Sequence, residues 1–343
     1  MNATLKTLSI TVALALATLG SAHAQTSTIT QSGSGHDASI DQSATVSTSA
    51  TINQTGTNNQ AGLPGSTMLG LPATPGIMQA STTNTTGTID QSGDSQSATV
   101  IQSATDDTTA AVTQLGSNNF AATSQDSTSG GPMIMLLHSS TASVLQDGTG
   151  NVGKIDQSNG FQKAKIVQQG SCSGCASTAA TDNLAEVRQS SSNNYADVSQ
   201  SGENNSSTVT QSLMGSNSDG TANVSQSGRF NTVSVDQGAS SSSNSTTATA
   251  TQTGDNHLAS IDQYVQNSLG GVGTLTATVT QDGAYNESTI LQGGVNNIAT
   301  ATQTGSGTSA LDANRVKVSQ SGVGATADVT QNGTRLSATI TQR

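Results

Sequence analysis

The chain has 343 residues, yet only 9% of them are charged, 2% are aromatic, and none is Trp. Three Phe and three Tyr are too few to anchor two enzyme-sized cores, which length alone would suggest. Disorder is disfavoured too, because it usually couples high charge to abundant Pro and this chain has only four Pro. Abundant Ser, Thr, Asn, Gln and Gly with little charge point to stacked β-structure.

Residues 1–24 read as a signal peptide. Lys6 precedes an apolar run from Leu8 to Leu19, and Ala22-His23-Ala24 is a small-x-small cleavage site before Gln25. The run is shorter than the ~20 residues a membrane span requires. Cleavage leaves nine Lys and Arg against 21 Asp and Glu, a net charge of −12. Those nine cations are scattered, so no basic face for nucleic acid is expected. No later stretch reaches membrane-span length, and Met133 to Leu137 is only a short apolar piece. The mature chain is expected to be an exported, acidic protein.

From Ile29 onwards the chain repeats. One series comprises Gln31, Gln42, Gln54, Gln91, Gln102, Gln114, Gln125, Gln146, Gln157, Gln168, Gln189 and Gln200, and continues through Gln211, Gln226, Gln237, Gln252, Gln263, Gln281, Gln292, Gln303, Gln320, Gln331 and Gln342. Of its 22 spacings, 13 are eleven residues and two are twelve. Two residues before the Gln stands Val or Ile in 20 of the 23 units, and four before it stands Ala in 16. Gly follows at plus two in 14 units, and Asn often at plus five, as at Asn119, Asn194, Asn205, Asn231 and Asn286.

Alternate residues of a strand share a face, so Ala-x-Val/Ile-x-Gln puts three side chains inward and the polar residues between them outward. The Gly then permits a sharp reversal. Each unit is therefore predicted to be a strand plus a turn, and two units a coil of about 22 residues with one strand in each of two facing sheets. An eleven-residue period also suits a right-handed helical supercoil, but β-branched, Gly-rich units exclude it. Coils must stack to bury their faces, about eleven of them here, so Gln lies over Gln and the amides bond along the ladder. The fold class is all-β: a two-sheet β-solenoid spanning residues 25–343. Longer spacings are expected to be looped-out insertions, chiefly at about 55–86 (with Pro64, Pro72 and Pro75), 126–141 and 170–184.

At Val198-Ser199-Gln200-Ser201-Gly202-Glu203-Asn204-Asn205, followed by Val209-Thr210-Gln211, the pattern resembles the curlin repeat, in which Gln-x-Gly-x-x-Asn links two strands. Residues 224–237 and 279–292 resemble it equally, and the likeness covers most of Ile29 to Gln342. The resemblance implies a secreted subunit that polymerises head-to-tail with itself into extracellular, cell-surface amyloid fibres of a bacterial biofilm matrix, serving adhesion and aggregation. Its implied partners are other curli subunits and the curli secretion machinery. Several turns depart from the pattern: Gln96, Ala325 and Leu336 replace the Asn, and no Gly follows Gln102 or Gln189.

No catalytic, cofactor or metal site is expected. His36, His138 and His257 are far apart in sequence, and two of them occupy the turn position of Asn. Asp147-Gly148 and Gly150-Asn151 lack the nonapeptide run of a calcium-binding roll. No G-x-S-x-G elbow accompanies the many Ser. Cys172 and Cys175 form a C-x-x-C in an insertion and are expected to be a local disulfide or idle thiols. The alternative function is a secreted monomeric solenoid that binds ice or carbohydrate on a flat face, motivated by the Thr-rich run 246–251.

Overall fold

A computed structural model describes residues 8–16, 23–63, 74–126, 139–169, 180–190, 192–213, 219–239, 244–265 and 273–343. The described residues are almost entirely β-strand, with a single 3-10 turn at Ala310–Asp312. They form two units, Met1–Phe161 and Gln162–Arg343.

In the first unit, one sheet stacks His23–Ser34, Thr48–Thr57, Thr86–Asp94, Thr109–Ser117 and Thr141–Thr149 in that order. All four pairings are parallel and in register, so that Ile29 lies on Ile52, Ile52 on Ile89, Ile89 on Val112 and Val112 on Val144. The facing sheet runs from Asp37–Ala38 and Ile40–Ser43 through Gln60–Leu63 and Ile77–Ala80 to Ser97–Ser103, Phe120–Asp126 and Val152–Ser158. In the second unit, one sheet continues from Lys163–Gln168 through Asn194–Glu203, Asp219–Arg229, Asn244–Asp255, Gly273–Ala284 and Asn297–Ser306 to Thr326–Asn332. Its partner sheet holds Leu184–Ser190, Ser206–Leu213, Thr232–Ala239, Leu258–Val265, Asn286–Gly294, Asn314–Gln320 and Ser337–Gln342.

The period-two pattern fixes this register. Burial alternates along each strand, and the Ala and Val/Ile of the repeat form the core: Ala196, Val198, Ala277 and Val279 are each 0% exposed. A shift of one residue would turn that whole set outward. The two-sheet β-solenoid expected from sequence is therefore what the chain forms.

Three boundaries differ from expectation, the first within 170–184, where Thr181 pairs with Glu203 and Leu184 opens a strand. The stretch 55–86 is not wholly looped out. Gln60–Leu63 pairs with Ser97-Ala98, and Ile77–Ala80 is sandwiched between Ile40–Ser43 and Val100–Ser103. Ile77-x-Gln79 repeats the inward signature, which explains why the chain returns to the sheet there. In addition, the apolar run near the N-terminus forms a strand, Leu8–Leu16, antiparallel to residues 23–31. The outer edge of His23–Ser34 offers a row of backbone groups, and an extended apolar segment satisfies them. Cys172 and Cys175 lie outside the described residues.

Candidate functional site

The inward glutamines are joined into ladders, two in each unit. In the first unit, Gln31, Gln54, Gln91, Gln114 and Gln146 form one series, with Nε2 of each donating to Oε1 of the next at 2.8–2.9 Å. The facing series is Gln42, Gln79, Gln102, Gln125 and Gln157, at 2.7–3.0 Å. In the second unit the series are Gln168, Gln200, Gln226, Gln252, Gln281, Gln303 and Gln331, and opposite them Gln189, Gln211, Gln237, Gln263, Gln292, Gln320 and Gln342. Every expected ladder residue is thus placed in one, and Gln79 joins them although the eleven-residue count passes over it.

Each amide carries a second hydrogen, and in most of these glutamines it crosses the core. Gln114 donates to the Ser97 carbonyl, Gln146 to Phe120, Gln237 to Thr221 and Gln292 to Thr276, all at about 3.0 Å. One side chain therefore bonds along its sheet and also ties the two sheets together. A polar residue can occupy the core because its donors and acceptor are all met; left unpaired it would cost about 1–3 kcal/mol.

The turns carry a second ladder. In the second unit, Asn183, Asn205, Asn231, His257, Asn286 and Asn314 are stacked. The Oδ1 of Asn205 accepts the Asn231 N–H at 3.1 Å, while its Nδ2 donates to the Ser201 and Gly228 carbonyls. His257 fills the same role with a ring: Nε2–H donates to the Thr253 carbonyl at 3.0 Å and Nδ1 accepts the Asn286 N–H at 3.2 Å. Those two bonds define the neutral Nε2–H tautomer, and burial holds the ring's pKa below its ordinary value. In the first unit, His36, Asn59, Gln96, Asn119 and Asn151 occupy the equivalent positions. Of the expected turn residues, Asn119, Asn205, Asn231 and Asn286 belong to these ladders. Asn194 lies elsewhere, in register with Gly220. The Gly two places after the Gln is required by close approach; a Cβ on Gly254 would come 1.9 Å from the Gly283 carbonyl oxygen.

Among the described residues no group of three or more His, Cys, Asp or Glu is placed to hold a metal ion. No helix of the described chain is long and apolar enough to cross a membrane. The outward faces carry shallow grooves, such as that over Lys165, Asp197, Asn223 and Thr249.

Parallel coils zipped by inward amides define a structural β-solenoid whose repeated feature is its stacking surface rather than a cleft. Residues 82–116, 180–212 and 275–305 match the curlin associated repeat, and these three matches support a curlin-family assignment. Each matched stretch spans inward glutamines of both sheets, for example Gln281 and Gln292. No curated protein and no solved structure matches the chain.

Proposed function

We propose that this chain is a secreted subunit that polymerises head-to-tail into extracellular curli-type amyloid fibres of a bacterial biofilm matrix, after removal of residues 1–24. The observation that carries this reading is the repetition of one stacking geometry up to the outermost coils. Ala338, Ile340 and Gln342 have the inward pattern of Ala38, Ile40 and Gln42, yet all six are half-buried, whereas the same positions of inner coils are closed to solvent. Stacking a second copy on these rows would extend the ladders and bury them. Partnership with other curli subunits and with a dedicated secretion machinery rests on the family assignment.

The test is incubation of the chain beginning at Gln25, which retains every parallel strand pair. Expected are thioflavin-T-positive fibres with reflections near ~4.7 and ~10 Å, the strand and sheet spacings. A chain that stays monomeric by light scattering, with no fibre by electron microscopy, overturns the proposal.

One observation favours the monomeric, surface-binding alternative. On the outward face of the second unit, Thr249, Thr278 and Thr300 lie in register beside Thr251, Thr280 and Thr302. A persistent monomer that retards ice growth or binds an insoluble polysaccharide would support it.

A further inference from the structure

Charge is distributed unevenly along the chain. From Gln25 to Gly153 there are eight Asp and no Lys or Arg. From Ala313 to Arg343 there are four Lys and Arg and one Asp. In the outermost strand on the N-terminal side, Asp37 and Asp41 are exposed on the outward face. In the second unit Arg315 and Lys317 are exposed on Asn314–Gln320, and Arg343 follows the strand Ser337–Gln342 that pairs with it. Arg315 is paired with Glu287 and Arg335 with Asp312, whereas Lys317 and Arg343 are in no ion pair among the described residues.

Resting on the polymer reading above, we propose that the joint between two copies is electrostatically polar: the basic last coils of one chain recognise the acidic first coils of the next. Extending the Gln320-to-Gln342 step by one coil sets Gln342 on Gln42 of the second copy, and hence Ile340 on Ile40 and Ala338 on Ala38. Arg343 then lies diagonally beside Asp41 on the same outward face. Lys317 is two strand steps, ~9.6 Å, from the column between Asp37 and Asp41, less the reach of its side chain. These distances are comparable with the Debye length of ~8 Å at physiological salt, so the attraction acts locally while the net charge of the two whole chains is screened. The reversed pairings, acidic end on acidic end or basic on basic, are repelled. The joint therefore selects direction as well as partner.

This inference gives a salt dependence opposite to that of a uniformly acidic chain, whose copies repel and associate faster as salt is added. Seeded fibre elongation is measured by thioflavin T at about 150 mM and about 1 M NaCl, where screening lengths are ~8 Å and ~3 Å, so that whole-chain repulsion is screened in both and only the local contact differs. Growth of the parent is expected to slow several-fold at the higher salt. Lys317→Glu/Arg343→Glu and Asp37→Lys/Asp41→Lys change exposed side chains, and circular dichroism verifies that each variant keeps its strands. Each alone is expected to elongate at least about fivefold more slowly at the lower salt, the scale of electrostatic effects on association rate. An equimolar mixture of the two restores growth, because every joint then pairs opposite charges. Parent fibres that quicken with salt, or variants that grow at the parent rate alone, overturn the polar joint and leave the polymer reading standing. A parent that forms no fibre at either salt removes both.

Discussion

Thr123 occupies an inward position that is Val or Ile in most units, between Val100 and Ile155 in its column. It is 1% exposed, and its hydroxyl has no hydrogen-bond partner. Thr123→Val keeps the shape and removes a desolvated polar group, so it is expected to stabilise the chain by about 1 kcal/mol. The urea midpoint of the soluble chain measures this; an unchanged midpoint would show that the hydroxyl is satisfied after all. His257 presents the opposite case, a polar side chain fully used. Protonating Nδ1 would set a donor against the Asn286 N–H. Its pKa is depressed mainly by burial, while the Thr253 carbonyl, Asp282 and Asp255 pull the other way. The proton therefore prefers the unfolded chain. Stability is full above the unfolded value of 6.5 and declines as pH falls from there through the depressed folded value. His257→Asn supplies the acceptor and donor that Asn231 supplies one coil earlier, and should flatten the melting temperature between about pH 7.5 and 5.5. A variant whose melting curve follows the parent's over that range places the pH response elsewhere.

At the scale of the strand and its turn, the Gly that follows many ladder Gln and the residue before most ladder Asn share the strain of reversal. Gly254 has φ +113°, and the carbonyl of Gly283 lies where its Cβ would be. Gly254→Ala is expected to cost at least about 2 kcal/mol, from a forbidden dihedral and a backbone clash together. Phe230 holds φ +56° and is 55% exposed, at a position that is Asn204 one coil before and Asn256 one coil after. Phe230→Asn should therefore stabilise by about 0.5–1 kcal/mol, since Asn tolerates this region and little packing is lost. Chemical denaturation of both variants decides the point: equal small effects would mean that the turns relax. The strands and glutamine ladders were legible because a period of two and a period of eleven reinforce each other over many copies. Gln79 was not, because Ile77-x-Gln79 is a single copy of the signature inside a 37-residue spacing that holds three prolines. The turn ladder was only half legible. His36 and His257 were legible at the turn position of Asn, whereas Gln96 stood out only as a departure from the pattern, although it too reaches the carbonyl four residues back. The stacked Thr pairs Thr82–Thr85 and Thr105–Thr108 have too few copies to stand out in a Thr-rich chain.

For the molecule as a whole, the decisive variable is phase, not length. Each coil contacts its two neighbours, so stability is approximately a sum of coil and interface terms, and one complete coil can be removed without changing the type of any remaining contact. Thr232 to His257 is such a coil. Without it, Asn231 leads directly to Leu258, Val209 meets Ile261, Gln211 meets Gln263, Val224 meets Val279 and Gln226 meets Gln281, following the registers on either side. Both turn and amide ladders close over the gap. The deletion removes 26 residues, yet it is expected to retain the strand signature in circular dichroism and to form fibres with the parent's seeds. Deleting Ser199 alone removes one residue from the middle of a strand and turns Gln200 outward, so its bonds to Gln226, to the Leu184 carbonyl and to Ser207 are all lost. That variant is expected to fold and assemble far more poorly than the larger deletion. The comparison is made on the two proteins side by side, by circular dichroism and seeded growth. If the 26-residue deletion unfolds while the one-residue deletion assembles normally, stability does not reside in the coil-by-coil register, and the ladders described above are not what holds the stack together.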